Sequence, residues 1–228
     1  MLLCGKFMKK LQINKILIIT SKIHPETVIS CDTDSYDYII AADAGYLYAE
    51  SNDISVDMYI GDFDSAKLPS LYKPDISDKI SILPTEKDLT DSEAALDYAM
   101  SLNPKSITIL GGLNGRFDHT MGNIAILIKY ALNFSNHGTS IYIIDGHNKC
   151  QVLSPGKHII PREAAFKYLG LSSLTPKTYG FFVSGTKYTL ENAILSFDST
   201  LGVSNEILEE NGIISFDDGL VLAVLSSD

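Results

Sequence analysis

Short apolar runs with no polar alternation recur along the first two thirds of the chain: Lys15 to Thr20, Tyr38 to Ala42, Met58 to Ile60, Ile80 to Leu83, Ser106 to Leu110 and Ser140 to Ile144. Runs of this kind suit strands covered on both faces, and they predict a mainly parallel sheet in an α/β domain. Two helices are readable between them. Thr90-Asp91-Ser92-Glu93 is a capping box that opens the first, which presents Ala94, Ala95, Leu96, Ala99 and Met100 and ends near Asn103-Pro104. The second runs from about Asp118 to Leu132, with Met121, Ile124, Ala125, Leu127 and Ile128 on a broad apolar face.

After Asp145-Gly146 the texture changes to β-branched and aromatic segments separated by turn signals. Gly180 to Val183, Lys187 to Leu190, Ala193 to Phe197, Ile213 to Phe216 and Leu220 to Leu225 are strand candidates, with Asn211-Gly212 and Asp218-Gly219 as hairpin turns. The pattern therefore predicts a Rossmann-like α/β domain over residues 1–146 and a small all-β sandwich over 147–228.

Composition narrows the class. With 228 residues, 45% hydrophobic and 20% charged, the chain has the core-forming content of a globular protein. A formal net charge of -10 argues against a nucleic-acid partner, which needs clustered Lys and Arg. The lysines near the start surround only Ile16 to Ile19, too short for a signal-peptide core or a membrane span; Met8 is an alternative start. Cys4, Cys31 and Cys150 are odd in number and widely spaced, which fits neither a disulfide framework nor a thiolate zinc site, so a reduced, cytoplasmic protein is expected.

The candidate chemistry gathers where strands run out. Asp43 follows one strand, Gly61-Asp62-Phe63-Asp64-Ser65 another, and Gly111 to His119 a third, and in open parallel sheets ligands bind outside the carboxyl ends of the strands. Asp62 and Asp64, read as two apart on a nearly extended chain, would leave on one side and approach a single cation. Unneutralised, two such charges about 4 Å apart repel by about 1 kcal/mol in water and about 4 kcal/mol at an effective dielectric near 20. The alternative for this pair is a surface turn with an Asx cap. Asp88 and Asp91 straddle the cap Thr90 and could face the same rim, and Asp91 also suits the helix dipole.

Gly111-Gly112-Leu113-Asn114-Gly115-Arg116-Phe117-Asp118-His119 passes from strand through glycine loop into helix, an arrangement that receives phosphate on backbone N–H groups, with Arg116 adding a fork of donors. A tight turn capped by Asp118 is the other reading, and His119 reads as hydrogen-bonding rather than metal-ligating. Thr200 to Glu206, taken alone, is a polar loop.

Ala42-Asp43-Ala44-Gly45, IGDFDS, PTEKDLTDSEAAL, LGGLNGRFDHTMGN and the late GVSNE, in this order and spacing, resemble the bacterial thiamine pyrophosphokinases over about Lys15 to Leu225. The resemblance implies an ATP- and Mg²⁺-binding α/β domain, a β-sandwich that contributes to thiamine binding, and a homodimer with the thiamine site at the subunit interface. The implied reaction moves diphosphate from ATP to the thiamine hydroxyl and releases AMP. By the same resemblance Asp43, Asp62, Asp64, Asp88 and Asp91 are catalytic, with Asp62, Asp64 and Asp91 holding metal. Thr90, Gly112, Asn114, Gly115, Arg116, Asp118 and His119 would bind ATP, and Ser204 and Asn205 thiamine. The chain has no Trp, so stacking on thiamine would come from Tyr or Phe. The nearest alternative, a pterin alcohol as acceptor, is disfavoured by the Ser204-Asn205-Glu206 motif. A nucleotide-sensing module without turnover is disfavoured by the number of clustered acids.

Overall fold

The computed structural model describes residues 12–27, 32–63, 79–84, 88–133 and 138–228. Strands β1 (Lys15–Ile19), β2 (Tyr38–Ala42), β3 (Met58–Gly61), β4 (Ile80–Ile82), β5 (Ser106–Leu110) and β6 (Ser140–Asp145) form a parallel sheet in the order β4-β3-β2-β1-β5-β6. The order runs outward from β1 through β4, then resumes on the other side of β1 with β5. That reversal opens a crevice between the ends of β1 and β5.

The unbroken apolar runs are explained by cover on both faces. Ile16 and Ile18 of β1 pack with Ile40 and with helices α2 (Asp91–Ser101) and α3 (Phe117–Asn133) through Ala95, Leu96, Ala99, Leu127 and Tyr130. Leu17 and Ile19 point the other way, toward Tyr46 and Ala49 of the short helix α1 (Gly45–Ser51). The N-cap half of the expected capping box is present, with the Glu93 backbone N–H donating to Thr90 Oγ1 at 3.2 Å, while the Glu93 carboxylate accepts from Lys129 Nζ at 2.7 Å. No helix among the described residues is long and apolar enough to cross a membrane.

The sheet does not stop at residue 146. A tight turn leads from β6 into the antiparallel β7 (Asn148–Leu153), which pairs with β13 (Val221–Ser226), and β13 pairs with β9 (Tyr168–Ser173), making a mixed nine-stranded sheet among the described residues. A second, antiparallel sheet, β11-β10-β12-β8, covers this extension; its strands are β8 (Gly156–Pro161), β10 (Lys177–Ser184), β11 (Leu190–Ser196) and β12 (Asn211–Phe216). Leu169, Leu171, Val221 and Ala223 on one side meet Phe181, Val183, Leu195, Ile214 and Phe216 on the other. Each fully buried side chain of this size contributes about 1.5–3 kcal/mol.

Three local expectations are corrected. Lys187 to Leu190 is not a strand: the Tyr188 N–H and C=O are held by the Asn205 side chain rather than by a ladder, and β11 begins only at Leu190. Asn211-Gly212 opens β12 instead of turning, because Gly212 gives Ile207 and Thr186 room to pack against the strand. Asp218-Gly219 does turn the chain, but from β12 in one sheet to β13 in the other, so it is a crossover.

Candidate active site

Gly45 lets α1 cross β1 directly, since a Cβ there would stand 2.1 Å from the Ile19 carbonyl oxygen. The turn that leads into α1 carries Asp43 in a left-handed conformation, φ 47°, with its N–H donating to Ile60 O of the neighbouring β3 at 2.8 Å. One residue beyond β3 lies Asp62, and α2 presents Asp91 in its first turn. Their carboxylates converge, with ligand atoms of Asp43, Asp62 and Asp91 all within 4.8 Å of one another.

This trio differs from the metal set read from sequence. Asp43 joins Asp62 and Asp91, because the parallel pairing of β2 and β3 brings the two strand ends side by side. Asp64 lies outside the described residues. The extended-chain premise that paired it with Asp62 does not hold, since Phe63 between them has φ 54° and buries its ring edge-on against Tyr46. Asp88 stands exposed in the bend before Thr90 and is not one of the three. Three carboxylate oxygens at this spacing suit a hard divalent cation such as Mg²⁺, which takes octahedral oxygen ligands and fills the remaining positions with water or phosphate.

A cleft of about 780 Å³ opens beside the trio at the β1/β5 crevice. Thr90, Gly112, Asn114, Arg116, Asp118 and His119 line it together with Asp43. Gly115 is exposed within the same loop. Sequence reasoning missed Thr20, Ser21 and Lys22 after β1, and Asn123 and Lys129 on α3, all of which face the cleft. Only the strand order identifies the loop after β1 as a site element, and the strand order is not written in any one segment.

The glycine loop is built differently from a free N–H cradle. The Gly111 N–H donates to Ile144 O at 2.8 Å, Gly112 N–H to Lys22 O at 3.3 Å, and Leu113 N–H to Asp145 Oδ2 at 2.9 Å. Gly112, at φ 96°, also sits so close to Asn123 that a Cβ would meet Nδ2 at 2.6 Å. Arg116 closes its fork on Asp118, Nε to Oδ1 at 3.1 Å and Nη2 to Oδ2 at 2.5 Å. The hydrogen bonds that Arg116 donates to Asp118 raise the Arg116 pKa and hold the Asp118 carboxyl below the ordinary carboxylate range. Both side chains are about two-thirds exposed, at 66% and 63%, so the pair is readily exchanged for another anion.

Asp145 is the residue that composition and motif gave no reason to choose. It is 2% exposed at the end of β6, and it accepts from the His24 N–H at 2.7 Å and the Leu113 N–H at 2.9 Å. One buried carboxylate thus ties the loop after β1 to the glycine loop.

In the β half, Ser204 is exposed with φ 61°. Asn205 is buried, and its amide is saturated: Oδ1 accepts from the Tyr188 and Glu206 N–H groups at 2.9 Å each, while Nδ2 donates to Thr186 Oγ1 at 3.2 Å and Tyr188 O at 2.7 Å.

Residues 32–143 match the family described as thiamin pyrophosphokinase, catalytic domain, and residues 157–221 match thiamin pyrophosphokinase, vitamin B1 binding domain. The chain is similar to the thiamine pyrophosphokinase of Bacillus subtilis, 30% identical over 198 residues that cover 86% of this chain and 90% of the relative. Its fold is similar to that of thiamin pyrophosphokinase from Geobacillus thermodenitrificans, with a TM-score of 0.80 at 29% identity, covering 94% of this chain and 98% of the other. A family protein from Enterococcus faecalis gives a TM-score of 0.82 at 27% identity, covering 94% and 100%.

Proposed function

The chain belongs to the thiamin pyrophosphokinase family, and we propose that it transfers diphosphate from ATP to thiamine at the β1/β5 cleft, with the Asp43–Asp62–Asp91 trio holding Mg²⁺. The observation that carries this reading is the convergence of three carboxylates, from two strand ends and a helix start, beside a cleft lined by the glycine loop. Bound there, Mg²⁺ would neutralise phosphate charge that a chain of net charge -10 otherwise repels. Diphosphoryl transfer asks for positioning and charge neutralisation more than covalent catalysis.

ATP lies along the cleft in this reading. Arg116 releases Asp118 for a phosphate, and Asn114, Gly115 and the first turn of α3 take the anion, since the N–H groups of Gly111, Gly112 and Leu113 are committed within the fold. Thr90 keeps the start of α2 in place, His119 borders the phosphates, and Asp91 orients the acceptor hydroxyl. Asp64 and Asp88 complete the acidic rim.

The strand order, reversing at β1, supports a Rossmann-like catalytic half over 1–146; residues 147–228 serve thiamine. Within the described residues the cleft is lined by positions 20–129 alone, so one chain does not bring Ser204 to it. This supports a homodimer in which the thiamine site forms between subunits; the widely spaced, odd-numbered cysteines suit the reducing cytoplasm as its place of work. Ser204 faces thiamine and Asn205 shapes the turn behind it.

The direct test incubates protein, Mg-ATP and thiamine and identifies products by chromatography. Thiamine diphosphate and AMP in one-to-one ratio are expected. ADP with thiamine monophosphate as the first products would overturn the reading.

A further inference from the structure

The cleft is lined by three cationic side chains, Lys22, Arg116 and Lys129, and by three carboxylates, Asp43, Glu93 and Asp118. Arg116 is closed on Asp118, and Lys129 Nζ donates to Glu93 Oε1 at 2.7 Å. Lys22 makes no ion pair among the described residues. Two of the three positive charges are therefore already balanced by the chain itself, and the third is left for something else.

The backbone of Lys22 is fixed on both sides. Thr20 is pinned to Leu110, N–H at 3.0 Å and Oγ1 at 2.9 Å, and the His24 N–H is held by buried Asp145. The Lys22 carbonyl accepts from the Gly112 N–H, and a Cβ built on Gly115 would lie 3.7 Å from Lys22 Cδ, so the lysine stem runs across the glycine loop. Its side chain thereby reaches from a different strand end over the loop that carries Arg116.

We propose that Lys22 is a nucleotide-phosphate ligand, an uncommitted cation that meets the polyphosphate beside the Arg116–Asp118 pair. The proposal rests on ATP occupying this cleft. A lysine suits this role because it is a compact point charge with three donors on a flexible stem, and can follow phosphate oxygens without a fixed bidentate geometry. The division of labour follows, with Lys22 supplying uncommitted charge and Arg116 supplying orientation once its carboxylate is exchanged.

The test measures ATP and adenosine binding by titration calorimetry, in the absence of thiamine, for the full chain and for Lys22→Met, Lys22→Arg and Arg116→Met. Loss of one charge-assisted contact should weaken ATP roughly tenfold in Lys22→Met and leave adenosine binding unchanged. Lys22→Arg, which keeps the charge, should stay within roughly threefold of the parent for ATP. Parental ATP affinity in Lys22→Met, beside a weakened Arg116→Met, overturns the role of Lys22 and leaves the cleft as the ATP site. Parental affinity in both overturns the two readings together. Equal loss of ATP and adenosine, or a Lys22→Arg variant as weak as Lys22→Met, would mean that the side chain only shapes the loop, and the proposal is abandoned.

Discussion

The carboxylates of Asp43 and Asp62 come within 4.8 Å of each other although nineteen positions of chain separate them, because β2 and β3 are parallel neighbours and each acid is the first residue past its strand. Gly61 permits the approach, as a Cβ there would stand 3.0 Å from Asp43 Cα. Asp43 itself adopts a left-handed backbone, a conformation costing on the order of 1–3 kcal/mol at a non-glycine residue, and such strain gathers at functional sites.

Asp62→Asn keeps side-chain size while removing one charge from the trio. The parent should gain stability on adding Mg²⁺, by mass action, and the variant should gain much less. Turnover should fall at least a hundredfold, about 2.7 kcal/mol in barrier. Thermal melts with Mg²⁺ or EDTA, beside product assays, check both; an unchanged Mg²⁺ response would remove Asp62 from the metal site.

Asp145 offers two oxygens to two backbone N–H donors from different loops. Asn in its place turns an NH₂ toward one of them, so even this isosteric change should destabilise the fold by about 1–3 kcal/mol. The damage should fall on the loops that line the cleft, raising the KM for ATP more than that for thiamine. Denaturant titration and steady-state kinetics read the two effects; a variant with parental stability and parental ATP kinetics excludes Asp145 as their tie.

Much of the parallel sheet and both long helices were legible because cover on two faces leaves unbroken apolar runs and because capping is local chemistry. The acids were legible as strand-end residues. Their grouping was not: that Asp43 meets Asp62 depends on the adjacency of β2 and β3, which has no signal in one segment. The strands β7, β8 and β9 escaped for another reason. They carry mixed polar runs such as NKCQVL and GKHIIP, whose pattern reflects one covered face and pairing with distant partners. Lys22 and Asp145 escaped because their importance comes from the β1/β5 reversal, which only the assembled sheet reveals.

Cys150 is 5% exposed on β7, and burial pushes its thiol up to about 12. Neutral at physiological pH, it should resist alkylation in the native state. In a Cys4→Ser/Cys31→Ser background, iodoacetamide at pH 8 should label the protein only after denaturant is added. The linkage sign follows from the raised value: the group's contribution is fully present below the ordinary thiol range near 9 and is lost as pH climbs from there toward 12, where the unfolded chain alone has released the proton. Rapid native labelling would contradict the burial of Cys150.

Ser204 and Asn205 are adjacent, but the fold uses them differently, and substitutions should separate them. The Asn205 amide fills all four of its hydrogen-bonding positions inside the chain and holds the 186–188 turn against the segment that enters Glu206. Asn205→Ala strands two backbone groups of Tyr188 in a half-buried setting, so stability should drop by about 2–3 kcal/mol, with thiamine affinity falling as a consequence. Asn205→Asp should be little better, since two oxygens cannot donate to Thr186 Oγ1 and Tyr188 O. Ser204 is exposed and left-handed, and its backbone conformation does not depend on the hydroxyl, so Ser204→Ala should leave the melting temperature within about 1 °C, a surface-scale change. Its cost should appear only in the KM for thiamine, with ATP kinetics unchanged. Differential scanning calorimetry paired with thiamine kinetics on the three variants makes the distinction; a Ser204→Ala protein with parental thiamine KM, or an Asn205→Ala protein with parental stability, reverses the assignment.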